Sequence, residues 1–261
     1  MNSNMTKFSS ILMNLAIFAT LVFNFNGNSL ADEVQRRDTA NASGYGECIE
    51  AHGIQAAEWC KDAQVGYGGC IRAHGTGAAE WCKTVGEGYG GCVGAHGMQA
   101  AEWCKDAKVA YGPCIAAHGT QAADWCKQVQ DGYADCIAIF RTDASMFCKE
   151  AQRGFASCID VRGTDSAEFC KTAQVGYGGC YSAHGGDPGH CRETQLGYGP
   201  CIVTNGAGAT IFCKAVGDGY GACIETFGAS SWQFCRNAPL GYGDCIRIHG
   251  TTAAEFCKAV R

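Results

Sequence analysis

Two cysteines 12 residues apart, then 10 residues to the next pair, recur to the end of the chain. No other feature constrains the fold as strongly, because a repeat of fixed period builds its core unit by unit. The phrase begins Gly44-Tyr45-Gly46-Glu47-Cys48-Ile49-Glu50-Ala51-His52-Gly53 and runs on to Val65. Ten units follow from Gly44, Gly66, Gly88, Ala110, Gly132, Gly154, Gly176, Gly197, Gly219 and Gly241. One pair, Cys180 and Cys191, is spaced by 11, and the missing residue falls in Gly185-Gly186-Asp187-Pro188-Gly189. Residues 44–261 therefore read as one ten-unit array of 22-residue repeats.

The period inside a unit is helical. Tyr67, Cys70, Ile71 and His74 fall at i, i+3, i+4 and i+7, and Ala78, Trp81, Cys82 and Val85 repeat that spacing. Each set forms one face of a short helix. Gly75 stands where a left-handed C-cap would end the first helix. Thr76, Thr120, Thr142, Thr164 and Thr251 stand where an N-cap would open the second. Pro113 and Pro200 suit a first helical position, and the basic residue after each second cysteine, from Lys61 to Lys258, suits a helix C-terminus. The expectation is an all-α, disulfide-stapled α-solenoid of ten helical hairpins, stacked into an elongated body. A β-solenoid with one coil per unit is the alternative, since glycine-rich corners and Ile49, Ile71 and Val93 would suit it. Ala56-Ala57-Glu58-Trp59-Cys60-Lys61 favours a helix and lacks the alternation of a strand.

That six-residue stretch resembles the second helix of tetratricopeptide-type solenoids. Those repeats run about 34 residues and lack paired cysteines, so the resemblance implies local helix packing and no function.

Twenty cysteines among 261 residues, regularly spaced behind an export signal, read as a disulfide framework. Lys7, the apolar run Ile11 to Phe23, and Ser29 and Ala31 make residues 1–31 a cleaved signal peptide. The run is short of the ~20 residues that span a bilayer, so no membrane span is expected in the mature chain. Residues 32–43 form a polar lead-in expected to be disordered. It carries Arg36-Arg37, a candidate dibasic processing site, and Asn41-Ala42-Ser43, which makes Asn41 a glycosylation candidate. The expected location is extracellular.

Two regular bridge schemes exist. Pairing across junctions, such as Cys60 with Cys70, suits the invariant 10-residue gap but leaves Cys48 and Cys257 free to join molecules head to tail. Pairing within units uses all twenty. It gives Cys48–Cys60, Cys70–Cys82, Cys92–Cys104, Cys114–Cys126, Cys136–Cys148, Cys158–Cys170, Cys180–Cys191, Cys201–Cys213, Cys223–Cys235 and Cys245–Cys257, the scheme expected here.

His52, His74, His96, His118, His184 and His249 share one repeat position, four residues after a cysteine. Cysteine and histidine at i and i+4 share a helix face, which makes these six candidate metal ligands. Bridged cysteines leave the histidines a plainer role, bonding the last carbonyls of their own helices. The regular aromatics read as core. Glu58, Glu80, Glu102, Asp124, Glu168 and Glu255 lie three residues before a lysine and read as surface ion pairs.

Twenty basic against 25 acidic residues, with no basic stripe, argue against nucleic acid. No nucleophile elbow or phosphate loop occurs, and repetition works against one asymmetric catalytic constellation. The chain reads as non-enzymatic and without a cofactor. It is expected to be a secreted binding or structural scaffold, an effector or a fibre component, whose partner is an extracellular protein, a glycan or another copy. The alternatives are metal binding along the histidine ladder, and ice or surface binding by a flat repetitive face. Units 5, 6, 8 and 9 lose the histidine, so divergence across residues 134–234 marks where to look for a binding face.

Overall fold

The structure, a computed structural model, describes residues 44–186 and 189–260. The expected signal peptide 1–31, the expected lead-in 32–43 with Arg36-Arg37 and Asn41, and Asp187 and Pro188 lie outside the described residues. Among those described there is no strand. The fold is helical throughout, with one pair of helical arms per unit, and the β-solenoid alternative is set aside.

The first arm is a two-turn α-helix, as in Tyr67–His74 and Tyr89–His96. The second is shorter than the pattern implies. In unit 2 it is a 3₁₀ turn, Thr76–Ala78, followed by one α turn, Ala79–Cys82. Thr76 does not cap that arm; it opens the 3₁₀ turn, and no side-chain cap is present. Gly75 occupies φ 75° and ψ 172° rather than the left-handed helical region. Its N–H closes the first helix on the Ile71 carbonyl at 2.8 Å, and its own carbonyl opens the 3₁₀ turn by accepting from Ala78 at 3.2 Å. One residue thus serves both arms and leaves no room for a separate N-cap. Pro113 and Pro200 sit third in their helices, Tyr111–His118 and Tyr198–Asn205, still within the first turn, where an N–H has no partner to lose.

Each unit is stapled by its own bridge. All ten disulfides close within units, from Cys48–Cys60 to Cys245–Cys257, with Cα–Cα distances of 5.4 to 5.6 Å, and no cysteine is free. Arms this short are marginal alone, and a bridge around a loop of this size stabilises by roughly 2–3 kcal/mol. Between units, the first-helix tyrosines and the cysteines form one continuous buried core.

Consecutive units are also joined by backbone. The N–H groups of Gly86 and Gly88 donate to the carbonyls of Lys105 and Ala107 in the next unit at 2.7 and 2.9 Å. The same two bonds recur from Gln130 and Gly132, from Gln152 and Gly154, and from Gly217 and Gly219. At this linker end the units press together: a Cβ on Gly66 would lie 2.1 Å from the Gly86 carbonyl oxygen. At the turn end, Gly75, Gly163, Gly206, Gly228 and Gly250 have nothing within 4 Å of a Cβ position. Units tight at one end and splayed at the other form wedges.

Stacked wedges curve, and here they close. The first helix of unit 10, Tyr242–His249, packs on that of unit 1, Gly44–His52. The elongated body expected from the repeat is instead a ring, with linkers on its inner rim and turns on its outer one. Ten units completing one turn require about 36° each, the small per-repeat rotation that sets a solenoid's curvature. The inner rim is narrow enough for Arg153 to pair with Glu87, three units away, and with Asp131 at 3.2 Å. No described helix is long and apolar enough to cross a membrane.

Candidate functional site

The histidine ladder lies in the seams between units. His52 Nε2 hydrogen-bonds the Tyr67 hydroxyl of the following unit at 2.5 Å. His74 pairs likewise with Tyr89, His96 with Tyr111, His118 with Tyr133, His184 with Tyr198 and His249 with Tyr45. The expected bond from each histidine to its own helix end is therefore replaced by one across the seam. The positive-φ glycine already closes the helix, and its N–H takes a carbonyl exposed there.

An aromatic completes each seam. Trp59 meets His52 edge-on at 5.1 Å and Tyr67 at 6.0 Å. The next unit clamps that tryptophan from two sides. Lys83 lies 4.4 Å over the Trp59 ring and donates to its carbonyl at 2.8 Å, while the indole N–H donates to Glu80 at 2.6 Å. Lys127 repeats the ring and carbonyl contacts on Trp103. These lysines therefore cap the preceding unit's arm rather than their own. The expected i,i+3 ion pairs form at Glu58–Lys61, Glu168–Lys171 and Glu255–Lys258.

Four seams lose the histidine, and at one of them its tyrosine partner changes with it. Phe140 faces Phe155, ring centroids 6.1 Å apart, so an apolar pair replaces a polar one. Arg162 donates to Tyr177 at 3.4 Å and Asn205 to Tyr220 at 2.9 Å. At the ninth seam Phe227 brings no polar atom, and the buried Tyr242 hydroxyl has no hydrogen-bond partner among the described residues. Burial raises the pKa values of Tyr45, Tyr67, Tyr89, Tyr111, Tyr133, Tyr177 and Tyr242, to about 12 for Tyr45 and, with help from the Glu80 charge, for Tyr67. These groups stay protonated and able to donate at any physiological pH.

The donor set does not suit the ladder as a row of metal clips. Each site offers one imidazole, already engaged by a phenol, beside sulfurs held in a disulfide. Unit 7 differs. Its second arm is a single 3₁₀ turn, Cys191–Glu193, and His190 stands where other units carry tryptophan or phenylalanine. His184 and His190 both place Nε2 on the Tyr198 oxygen, at 2.8 and 2.9 Å, with ring centroids 5.3 Å apart. Burial, with the charges of Lys214 and His184, holds His190 below the ordinary imidazole value.

Two further features stand outside the seams. In the lumen Asp218 is half-buried, and its Oδ1 has no partner among the described residues. Burial raises its pKa, opposed by a hydrogen bond to the Leu196 backbone and by Arg153. On the surface, two second arms present an apolar residue where most carry an acid: Met146, 73% exposed, and Ile211, 89% exposed. Val203, in the same unit as Ile211, is 79% exposed. All three fall in the diverged stretch singled out by the repeat comparison.

No known protein family matches the chain, and no curated protein or solved structure is significantly similar to it. From its own residues the chain is established as a cysteine-rich, disulfide-bonded helical repeat protein, with the bridge density of an oxidising compartment.

Proposed function

We propose that this protein is a secreted, non-enzymatic binding scaffold, whose ring presents one diverged arc to an extracellular protein partner. The carrying observation is the exchange of repeat acids for exposed Met146 and Ile211. Isolated surface apolar residues are ordinary. Here they replace charge at one repeat position, in units whose seams have diverged as well, and apolar surface of that kind marks interaction sites.

The ring argues against a fibre built by end-to-end stacking. An open solenoid offers two unpaired ends; here the first and last units cover each other, and Cys48 and Cys257 are bridged within their units. Ice or surface binding through a flat face fares no better, because the ring spreads the turn threonines around a curved rim.

A photo-crosslinking residue at position 211, compared with one at Glu80, tests the proposal in the secreted fluid of the source cells. A discrete adduct from position 211, lost when Met146→Glu and Val203→Glu are added, is expected. Both changes restore or add polar groups of the kind other units carry, so folding should survive. Equal adducts from both positions, or none, would sink the proposal.

A further inference from the structure

We infer that unit 7 holds a site for one divalent transition-metal ion of the copper or zinc class, formed by His184, His190 and Tyr198. Three donor atoms converge there: two imidazole nitrogens lie within hydrogen-bond distance of one phenol oxygen. No other seam brings two histidines to its tyrosine. A phenol has a single proton, so the two hydrogen bonds require opposite roles. Tyr198 donates to one imidazole and accepts from the N–H of the other.

A metal ion satisfies the same three atoms at once. Both imidazoles turn their Nε2 lone pairs inward with their protons on Nδ1; the donating ring reaches that state by tautomerising, its Nε2 proton passing through solvent to Nδ1 with none released. The phenol proton leaves when the oxygen ligates as phenolate. Imidazole and phenolate suit Cu²⁺ and Zn²⁺, with copper the tighter by the usual divalent order.

The local sequence supports the assignment. His190 also lies within 4.8 Å of the Cys180 and Cys191 sulfurs, but their bridge leaves no thiolate to ligate, so the donors are nitrogen, nitrogen and oxygen. The turn is one residue short and glycine-rich, and nothing lies within 4 Å of a Cβ position at Gly185, Gly186 or Gly189. The nearby seams show what plain packing requires: phenylalanine at the His190 position suffices at Phe169 and Phe212.

Calorimetric titration of the chelator-stripped mature chain with CuCl₂ and ZnCl₂ tests this. One equivalent is expected, with copper giving a visible phenolate charge-transfer band and a paramagnetic resonance signal coupled to two nitrogens. His190→Phe should weaken copper binding by at least ten-fold and leave one coupled nitrogen. Tyr198→Phe should retain uptake and lose the band. His190→Gln, polar and close in size, serves if the phenylalanine variant misfolds. No stoichiometric uptake by the wild type, or equal uptake by wild type and the His190 variants, overturns the assignment.

Discussion

The Tyr45 hydroxyl hydrogen-bonds Nε2 of His249, joining the first unit to the tenth through the same pair that joins the first to the second, His52 and Tyr67. The rings follow the same rule: Tyr45 packs on His249 at 5.9 Å and on Phe256 at 6.4 Å, as Tyr67 packs on His52 and Trp59 at 6.0 Å each. Among the described residues, closure reuses the tyrosine–histidine and ring contacts of the repeat's own seam.

A closed ring has a testable size. Small-angle scattering from residues 44–261 should give a radius of gyration near that of a compact chain, about 17 Å. A straight stack of ten layers ~10 Å apart would give about 29 Å. Removing residues 88–109, one whole unit, keeps every internal seam type but leaves nine wedges. That variant should open or strain the ring and lower the melting temperature well beyond the effect of substituting one seam residue.

The unsatisfied Tyr242 hydroxyl sets two similar substitutions against each other. Tyr242→Phe removes a buried donor without a partner and should stabilise by about 1 kcal/mol. Tyr89→Phe removes a hydroxyl bonded to His74 and should destabilise by about the same amount. Urea titration of both variants at neutral pH checks the opposite signs; equal signs would refute the seam assignment.

Arg141 is the one described non-glycine residue with positive φ, at φ 66° and ψ 177°. Nine units place glycine at this position, in a backbone region that strains any side chain. Such strain is worth about 1–3 kcal/mol, partly offset by the freedom glycine adds to the unfolded chain. Arg141→Gly should gain about 1 kcal/mol, or about 2–4 °C in melting temperature for a domain of this size. Calorimetry of the variant reads the change directly.

The buried tyrosines predict an alkaline transition. Tyr45 and Tyr67 ionise at about 12 in the fold against about 10 in the unfolded chain. Their contribution is fully present below pH 10 and is lost as the pH rises toward 12, because the unfolded state releases its protons first. Circular dichroism with tyrosinate absorbance, recorded before the disulfides degrade, should show ionisation and unfolding together in that window. Full ionisation near pH 10 with the fold intact would contradict the burial.

Much of the unit was legible in the chain. The spacing of Tyr67, Cys70, Ile71 and His74 defines a helical face, and that helix is present. The Ala78 to Val85 face is present too, but as a 3₁₀ turn and one α turn. Gly75 explains the difference: with φ 75° and ψ 172° it turns the chain sharply enough that Thr76 starts the next arm without a cap. Periodicity reports which side chains share a face; it does not distinguish 3.0 from 3.6 residues per turn over one turn. The histidine seam left one sequence trace, the joint appearance of Phe140 and Phe155 in consecutive units. Reading it requires knowing which units touch.

The sequence by itself determined the unit: its length, its two helical arms, and the cysteines and aromatics that would be buried. These follow from local spacing, which a 22-residue segment carries within itself. Only the tertiary structure decided that the array closes, that Lys83 clamps Trp59 of the preceding unit, and that His184 and His190 meet on Tyr198. Each depends on the wedge between neighbours, tight at Gly66 and open at Gly75, and on its sum over ten units. A small angle repeated at every seam appears in no single repeat, yet that sum brings Tyr45 to His249.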